Sequence, residues 1–286
     1  MNKTWKEEEL QFLIDNFANL SKKEIAEELN RTPNAVQLKA NRLGLKKPEK
    51  YFYDKRFFQY INGEEKAYWL GFFFADGYTQ YNPKQRNYEA SVMLSSKDLG
   101  HLKKLNKSVN GNIEIKTQMR GCGFDNGKQY EVSSIRFYST EFIKDLIRWG
   151  CTPNKVKQMV FPKIDESFIW PFIRGYFDGD GCITLDKKRN TPRCDFASTS
   201  YEFLDDIREI LYKNDICSYY TKEKSGVKRL YIGGMENCNL FLKKMYSNAT
   251  IYLDRKYFRY VKYLKDCNIK NRIENNNGHH RKTKYI

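Results

Sequence analysis

The chain has 286 residues, 40% hydrophobic and 15% aromatic, which is enough to bury a core and too apolar for a disordered polymer. Lys and Arg number 51 against 35 Asp and Glu, a formal charge of +16 that repels itself unless a polyanion is bound. Nucleic acid is the favoured partner, because Lys and Arg contacts to phosphate supply most non-specific affinity. A membrane is disfavoured: the most apolar run, Trp69 to Ala75, falls far short of the roughly 18 residues a spanning helix needs.

The charged N-terminus has no signal-peptide pattern, and the seven cysteines are odd in number and scattered, without a C-x-x-C pair. These features predict reduced thiols and no zinc site, in the cytoplasm of a bacterial or phage-infected cell or in an organelle. Of the three histidines, His101, His279 and His280, two lie in a polar tail, so any metal ligands are expected to be carboxylates.

Residues 1–46 predict three short helices. Thr4 precedes Glu7, and Ser21 precedes Glu24, by the three residues of a capping box. Thr32-Pro33 is an N-cap followed by proline at the first helical position. A tight turn at Asn30-Arg31 makes this a helix-turn-helix pattern. With Val36, Ala40 and Leu43 facing inward, the third helix presents Asn34, Gln37 and Asn41, side chains able to bond adenine edges. Arg31, Lys39, Arg42, Lys46 and Lys47 surround them as candidate phosphate contacts. The segment resembles the Myb-like and sigma-like three-helix DNA-binding domains. Residues 47–63, charged, aromatic and aperiodic, are expected to form a linker.

An internal repeat carries the chemistry. Trp69-Leu70-Gly71-Phe72-Phe73-Phe74-Ala75-Asp76-Gly77 recurs as Ile173-Arg174-Gly175-Tyr176-Phe177-Asp178-Gly179-Asp180-Gly181, with the same offset from Gly71 to Gly175 as from Asp76 to Asp180. Gly71 with Ala75, and Gly175 with Gly179, place small residues on one helical face, where two backbones can approach. Gly77 and Gly181 are expected to end each helix in a left-handed conformation. Two helices packed in parallel would bring Asp76 and Asp180 together at their negative ends, an arrangement that repels unless a cation intervenes. Oxygen ligands alone point to Mg²⁺ or a similar hard ion, and carboxylate-held metals are an established route to phosphodiester hydrolysis.

These two segments resemble the paired motifs of the LAGLIDADG homing endonucleases in their one-chain form, and the resemblance extends over residues 64–268. It implies an α+β fold: a pseudo-two-fold duplication of αββαββα, halves 64–160 and 161–268, with motif helices at the seam and two antiparallel sheets saddling the DNA major groove. Strand-like runs at Tyr88–Ser95, Asn112–Gln118 and Tyr130–Tyr138, then Cys182–Leu185, Arg193–Ser198, Cys217–Lys222 and Leu230–Ile232, fit that order. Residue 178 departs from the repeat, being Asp178 in the second copy and Phe74 in the first, which makes the halves unequal.

The activity implied is double-strand cleavage of an asymmetric DNA target by a monomer, leaving short 3′ overhangs, in the service of intron or intein mobility. Mg²⁺ or Mn²⁺ would be held by Asp76 and Asp180, with the carbonyls of Ala75 and Gly179 as further ligands. Basic residues near each centre assist in the family; by chain position the candidates are Lys128 and Lys228, with Arg136 and Arg229 behind them. Lys116, Gln118, Arg193, Thr221 and Lys222 are strand positions expected to face DNA. Two other readings stay open: a DNA-binding regulator without catalysis, and an RNA-binding intron maturase. Residues 255–266 are expected to form a basic helix and 269–286 a flexible basic tail.

Overall fold

The computed structural model describes residues 4–48, 51–82, 87–121, 127–153, 159–186, 191–221 and 226–265. The chain forms two compact units that part between Phe52 and Tyr53.

The first unit holds helices α1 (Glu7–Asn16), α2 (Lys22–Glu28) and α3 (Pro33–Arg42). Their inward faces, Leu13, Phe17, Ile25, Ala26, Val36 and Ala40, form its core. The start signals of α2 and α3 are as expected. The Glu24 N–H donates to Ser21 Oγ at 3.2 Å while Glu24 Oε2 accepts the Ser21 N–H at 2.6 Å, and the Ala35 N–H donates to Thr32 Oγ1 at 3.2 Å. Asn30 makes the turn with φ of 46°. The first helix begins later than Thr4 predicts. Lys6 is its N-cap, and Glu9 rather than Glu7 closes the box by accepting the Lys6 N–H at 2.8 Å.

In the second unit, α4 (Glu64–Ala75), β1 (Gly77–Asn82), β2 (Asn87–Ser95), α5 (Leu99–Ser108), β3 (Lys116–Gly121), β4 (Gln129–Phe137) and α6 (Thr140–Arg148) form one half. The other half repeats the order as α7 (Ile169–Asp180), β5 (Gly181–Asp186), β6 (Thr191–Ser198), α8 (Tyr201–Tyr212), β7 (Tyr219–Tyr220), β8 (Lys228–Gly233) and α9 (Met235–Tyr246). A final helix, α10, spans 254–265. The sheets run β1-β2-β4-β3 and β5-β6-β8-β7, antiparallel throughout. The expected αββαββα duplication is therefore present.

Two expected strands are shorter: β3 starts at Lys116 rather than Asn112, and the run from Cys217 reduces to Tyr219–Tyr220. The expected linker is also divided. Phe57 and Phe58 are buried in the core of the second unit, Tyr53 Oη accepts the N–H groups of Tyr138 (3.1 Å) and Ser139 (2.8 Å), and the Phe58 carbonyl accepts from the Trp149 indole. Residues 53–63 thus belong to the fold. Their packing comes from aromatics spaced without helical or strand period, so periodicity does not reveal it.

Alternation within strands sorts the two faces of each sheet. Ala90, Val92, Leu94, Ile135 and Phe137 point into the core, as do Cys194, Phe196, Leu230 and Ile232. By the same alternation the open face of the first sheet carries Tyr78, Gln80, Glu89, Ser91, Ser134 and Arg136. The registry pairs Lys116 with Ser134 and Gln118 with Val132, which puts Lys116 and Gln118 on that face too.

The two halves meet along α4 and α7. A Cβ built on Gly71 would lie 1.9 Å from the Phe172 carbonyl oxygen, and one on Gly175 would lie 1.9 Å from the Tyr68 carbonyl oxygen. Further along, a Cβ on Gly179 would fall 2.3 Å from that of Ala75. The facing positions advance together along both helices, so the helices run parallel, and each backbone fills the space a side chain would need. Gly77 and Gly181 correct the expectation made for them. Neither has a positive φ, and Gly181 is extended at φ −82°, ψ 165°. They are glycine because the chain turns straight into β1 and β5 against the aromatic ring behind, leaving 2.5 Å to Phe73 and 2.1 Å to Phe177 for a Cβ.

Gly175→Ala is expected to cost about 3 kcal/mol or to prevent folding of the second unit, since rigid backbone must move. Gly100→Ala, in α5 with open space around it, is expected to stabilise by about 0.5 to 1 kcal/mol. Urea denaturation of both variants checks the contrast.

Candidate active site

The parallel seam delivers Asp76, the C-cap of α4, and Asp180, the last residue of α7, to the same end of the helix pair. The Asp76 carboxylate lies 3.1 Å from where a Gly179 Cβ would be, so the glycine leaves room for it beside Asp180. Tyr176 senses both acids: burial first, then the charges of Asp180 and Asp76, push its phenol far above its ordinary range. Among the described residues no cluster of three or more His, Cys, Asp or Glu side chains forms. The acid centre is a pair, each half contributing one member.

Behind the pair lies a buried polar network that the sequence did not reveal. Asp178, fully buried, accepts from Tyr68 Oη (2.8 Å), Tyr246 Oη (2.7 Å) and the Leu253 N–H (2.7 Å). Burial pushes its carboxyl up, while Lys256 and these three donors pull it down. Because the Tyr68 hydroxyl gives its proton to Asp178, His101 Nε2, 3.0 Å from that hydroxyl, is the protonated ring nitrogen. Lys256 from α10 is equally buried. Its ammonium donates to the carbonyls of Phe177, Gly179 (3.3 Å) and Gly181 at the end of α7. Burial lowers its pKa to about 8, against the pull of Asp178 and Asp76. The Gly179 carbonyl, expected as a metal ligand, is therefore already an acceptor for Lys256. A signal for Lys256 existed in the sequence, since Tyr260 and Tyr263 lie four and seven residues on and share its buried face.

The expected basic residues are redistributed by strand registry. Gly77 pairs with Val92 and Val92 with Ile135, so Asp76 is level with Ser134. Lys128 precedes Ser134 by six residues and is exposed at the distant hairpin end, roughly 20 Å along the strand. Lys228 shares the alternation of Leu230 and Ile232, and its ammonium lies 3.8 Å from the Tyr220 ring centroid and 4.8 Å from that of Tyr201, on the helix side of the sheet. Neither lies beside the acids: registry sets Lys128 far along the strand, and parity turns Lys228 to the other face. Arg229 is the basic residue in registry with the second acid. It is level with Asp180, two strands and about 10 Å across the sheet, on the open face. It bonds Asp195 Oδ2 at 2.6 Å.

In the first half, Lys116 and Arg136 are exposed on the open face, Arg136 paired with Glu89 at 3.1 Å. Arg193 lies on the open face of the second sheet, 4.7 Å over the Tyr231 ring. Thr221 is exposed and extends the β7 ladder through its N–H to the Arg229 carbonyl; Lys222 and the tail 269–286 lie outside the described residues.

In the first unit, Asn34 and Asn41 are exposed and Gln37 donates to Asn41 Oδ1 at 2.7 Å, so the three amides share the outer face of α3. Arg42 and Lys46 are exposed beside them. Arg31 is not available there. It pairs with Glu9 at 2.7 Å, donates to the Thr4 carbonyl and stacks 4.1 Å over Trp5, which makes it part of the unit's packing. Lys39 flanks the same ring at 6.0 Å, and Lys47 donates to the Leu20 carbonyl at 2.7 Å.

Comparison with known proteins bears on this geometry. Residues 167–246 match the family described as LAGLIDADG-like domain. The homing endonuclease I-WcaI, solved bound to its DNA recognition sequence, superposes with a TM-score of 0.54 at 16% identity, covering 77% of this chain and 96% of that one. This is the LAGLIDADG fold. The meganuclease I-SmaMI superposes with a TM-score of 0.47 at 13% identity, covering 70% of this chain and 88% of that one.

Among curated proteins, the DNA-directed RNA polymerase subunit Rpo1C of Methanocaldococcus jannaschii is 34% identical over 105 residues, 36% of this chain and 12% of that protein. Elongation factor 2 of Methanopyrus kandleri is 40% identical over 70 residues, 24% of this chain and 5% of that protein. The chain spans only a small part of either relative.

Within this LAGLIDADG fold the seam also sets an acid limit. Burial, and then Lys104, Arg255 and Lys256, lower the His101 pKa to about 3 from 6.5. The unfolded chain takes up this proton below about pH 6.5 and the folded chain does not, so stability is full above that pH and lost as pH falls toward 3. Wild-type protein is expected to lose about 2 kcal/mol between pH 7 and 5 from this residue. His101→Gln should flatten that part of the profile in thermal denaturation across the range.

Proposed function

We propose that the protein is a site-specific double-stranded DNA endonuclease of the homing type, acting as a monomer and hydrolysing one phosphodiester bond in each strand to leave short 3′ overhangs. The observation that carries the reading is the delivery of Asp76 and Asp180 to one end of a parallel helix pair, directly before the first strands of two sheets with polar open faces. That a protein of the same fold was solved on its DNA recognition sequence supports it.

Two carboxylates with adjoining backbone carbonyls are a hard, oxygen-only donor set that fits Mg²⁺ or Mn²⁺. When bound, such an ion supplies Lewis-acid activation of water and of the leaving oxygen. Asp76 and Asp180 would hold it, one from each half, so that a single chain is complete. Arg229, Arg136 and Lys116 on the open faces would draw phosphates toward the acids. Glu89 and Asp195 pair with the two arginines, Arg136 and Arg229, on these faces. The first unit would add a second contact, with Asn34, Gln37 and Asn41 reading bases and Arg42 and Lys46 on phosphates. Possession of both acids favours this reading over a DNA-binding regulator without catalysis.

Incubation with a randomised duplex library, with and without Mg²⁺, followed by sequencing of cut ends, is expected to return one asymmetric site. On that site Asp76→Asn and Asp180→Asn should each lower cleavage by about a thousandfold, as loss of about 4 kcal/mol of transition-state stabilisation requires. Binding should be largely kept, and wild-type cutting by either variant would end the assignment. Removal of residues 1–52 is expected to weaken target binding and to flatten its dependence on salt; an unchanged slope would show that the first unit touches no phosphate.

A further inference from the structure

The end of α7 is occupied by a cation belonging to the protein. Lys256 is the third residue of α10, and its side chain is only 2% exposed. The ammonium has three protons and meets three carbonyls, those of Phe177, Gly179 and Gly181, so all its donors are used. Gly179 and Gly181 flank Asp180 in the chain. The ammonium therefore brackets one of the two acids from the backbone side, at the negative pole of the helix dipole.

The segment that aims Lys256 is fixed on two sides. Asp178 holds the Leu253 N–H, and Lys104 from the other half donates to the Tyr252 carbonyl (3.0 Å) and to Asp254 (2.6 Å). Lys104 and Arg255 add positive charge along this stretch, Arg255 paired with Asp98 at 2.8 Å. A buried ammonium is tolerated only where its charge is answered. Here the answering groups are Asp178, the carbonyl cluster and, among the paired acids, Asp76, whose charge Lys256 senses.

We propose that Lys256 is a resident counter-cation and positioning residue of the acid site: it holds the acid-bearing end of α7 and competes electrostatically with the divalent ion for that end. The inference rests on the metal-binding reading of Asp76 and Asp180. Its consequence is a trade-off between a pre-formed site and affinity for the ion. A charge fixed beside the acids keeps their repulsion from opening the seam, and it weakens the hold of the acids on a second positive charge.

Charge and packing are separable by substitution. Lys256→Gln keeps amide donors for two of the carbonyls and removes the charge, Lys256→Met removes both, and Lys256→Arg keeps the charge. Mn²⁺ binding to the full-length protein without DNA, followed by electron paramagnetic resonance of the free ion, reads the ion directly, and thermal denaturation reads the packing. Lys256→Gln and Lys256→Met are expected to bind Mn²⁺ about fivefold more tightly, the order given by one unit charge within roughly 10 Å of a divalent ion in water. Lys256→Arg should stay near wild type, and Lys256→Met should melt several degrees lower.

Lower melting temperatures with Mn²⁺ affinity unchanged or weakened in the Gln variant would overturn the proposal and leave Lys256 a packing residue. Asp180→Asn on the wild-type background separates the two readings. If it binds Mn²⁺ as wild type does, the acid pair is not the metal site and the inference falls with that reading. If it loses Mn²⁺, the metal reading stands and the Lys256 variants decide the rest.

Discussion

The contact on which the rest of this molecule depends is the reciprocal approach of two helix backbones, Gly71 against the Phe172 carbonyl and Gly175 against the Tyr68 carbonyl. Each glycine is unfavourable within its own helix by up to about 1 kcal/mol, a cost that only a feature outside the helix can offset. What it permits is an interface without side chains between the helices at two points. Such an interface tolerates almost no sliding, because displacement drives carbonyl oxygen into neighbouring side chains. Registry at the glycines is thereby transmitted, residue by residue, to the ends of α4 and α7. The acids stand at one end of the pair because the backbones meet.

The same seam must be stabilised around two polar features, converging dipoles and converging carboxylates, and the two halves do so differently. At the repeat position just before the end of α4, Phe74 packs between Phe172 and Phe203 with its ring against Gly150, where φ is 111°. At the matching position of α7, Asp178 is a hub for Tyr68, Tyr246 and Leu253. Through Leu253 this one residue difference ties the second motif helix to the segment that leads into α10, which carries Lys256 on its inner face. Arg174 extends this arrangement to the other end of the seam. It donates to the Met245 carbonyl and pairs with Glu64, which also accepts from Thr250. The inequality of the motifs is thus a difference in how each half is closed, and it lies behind the acid pair rather than in it.

How much of this was legible in the sequence follows from what kind of physics fixed each part. The duplication, the helix order and the convergence of Asp76 and Asp180 could be read because they rest on local signals: small residues at helical spacing, capping residues and a constant offset. Lys128 and Lys228 were misplaced because nearness to the acids depends on strand registry and parity, which chain position does not encode. Arg31 was assigned to a surface it does not reach, since its partner Glu9 is distant in sequence. The conformation of Gly77 and Gly181 was misread for a related reason. The Asp-Gly pair signals a left-handed turn in general, and here it serves a direct passage from helix to strand against Phe73 and Phe177. Asp178 and Lys256 were invisible as a pair because buried polar networks are defined by contacts between elements, here α4, α7, α9 and α10.

The unequal sheets extend the argument to recognition. β3 is an edge strand of six residues, exposed along its whole length and carrying Lys116, Gln118 and Arg120 on one face. Its counterpart β7 has two residues, Tyr219 and Tyr220, with Tyr219 stacked on Tyr231 and Arg193 over the same ring. The first open face ends in charged and amide side chains, Arg120 donating to Met93 Sδ at 3.0 Å, and the second in stacked rings with a guanidinium over one of them. Under the proposed DNA reading the two edges would meet the duplex with different chemistry, charged and amide side chains on β3 and stacked rings on β7.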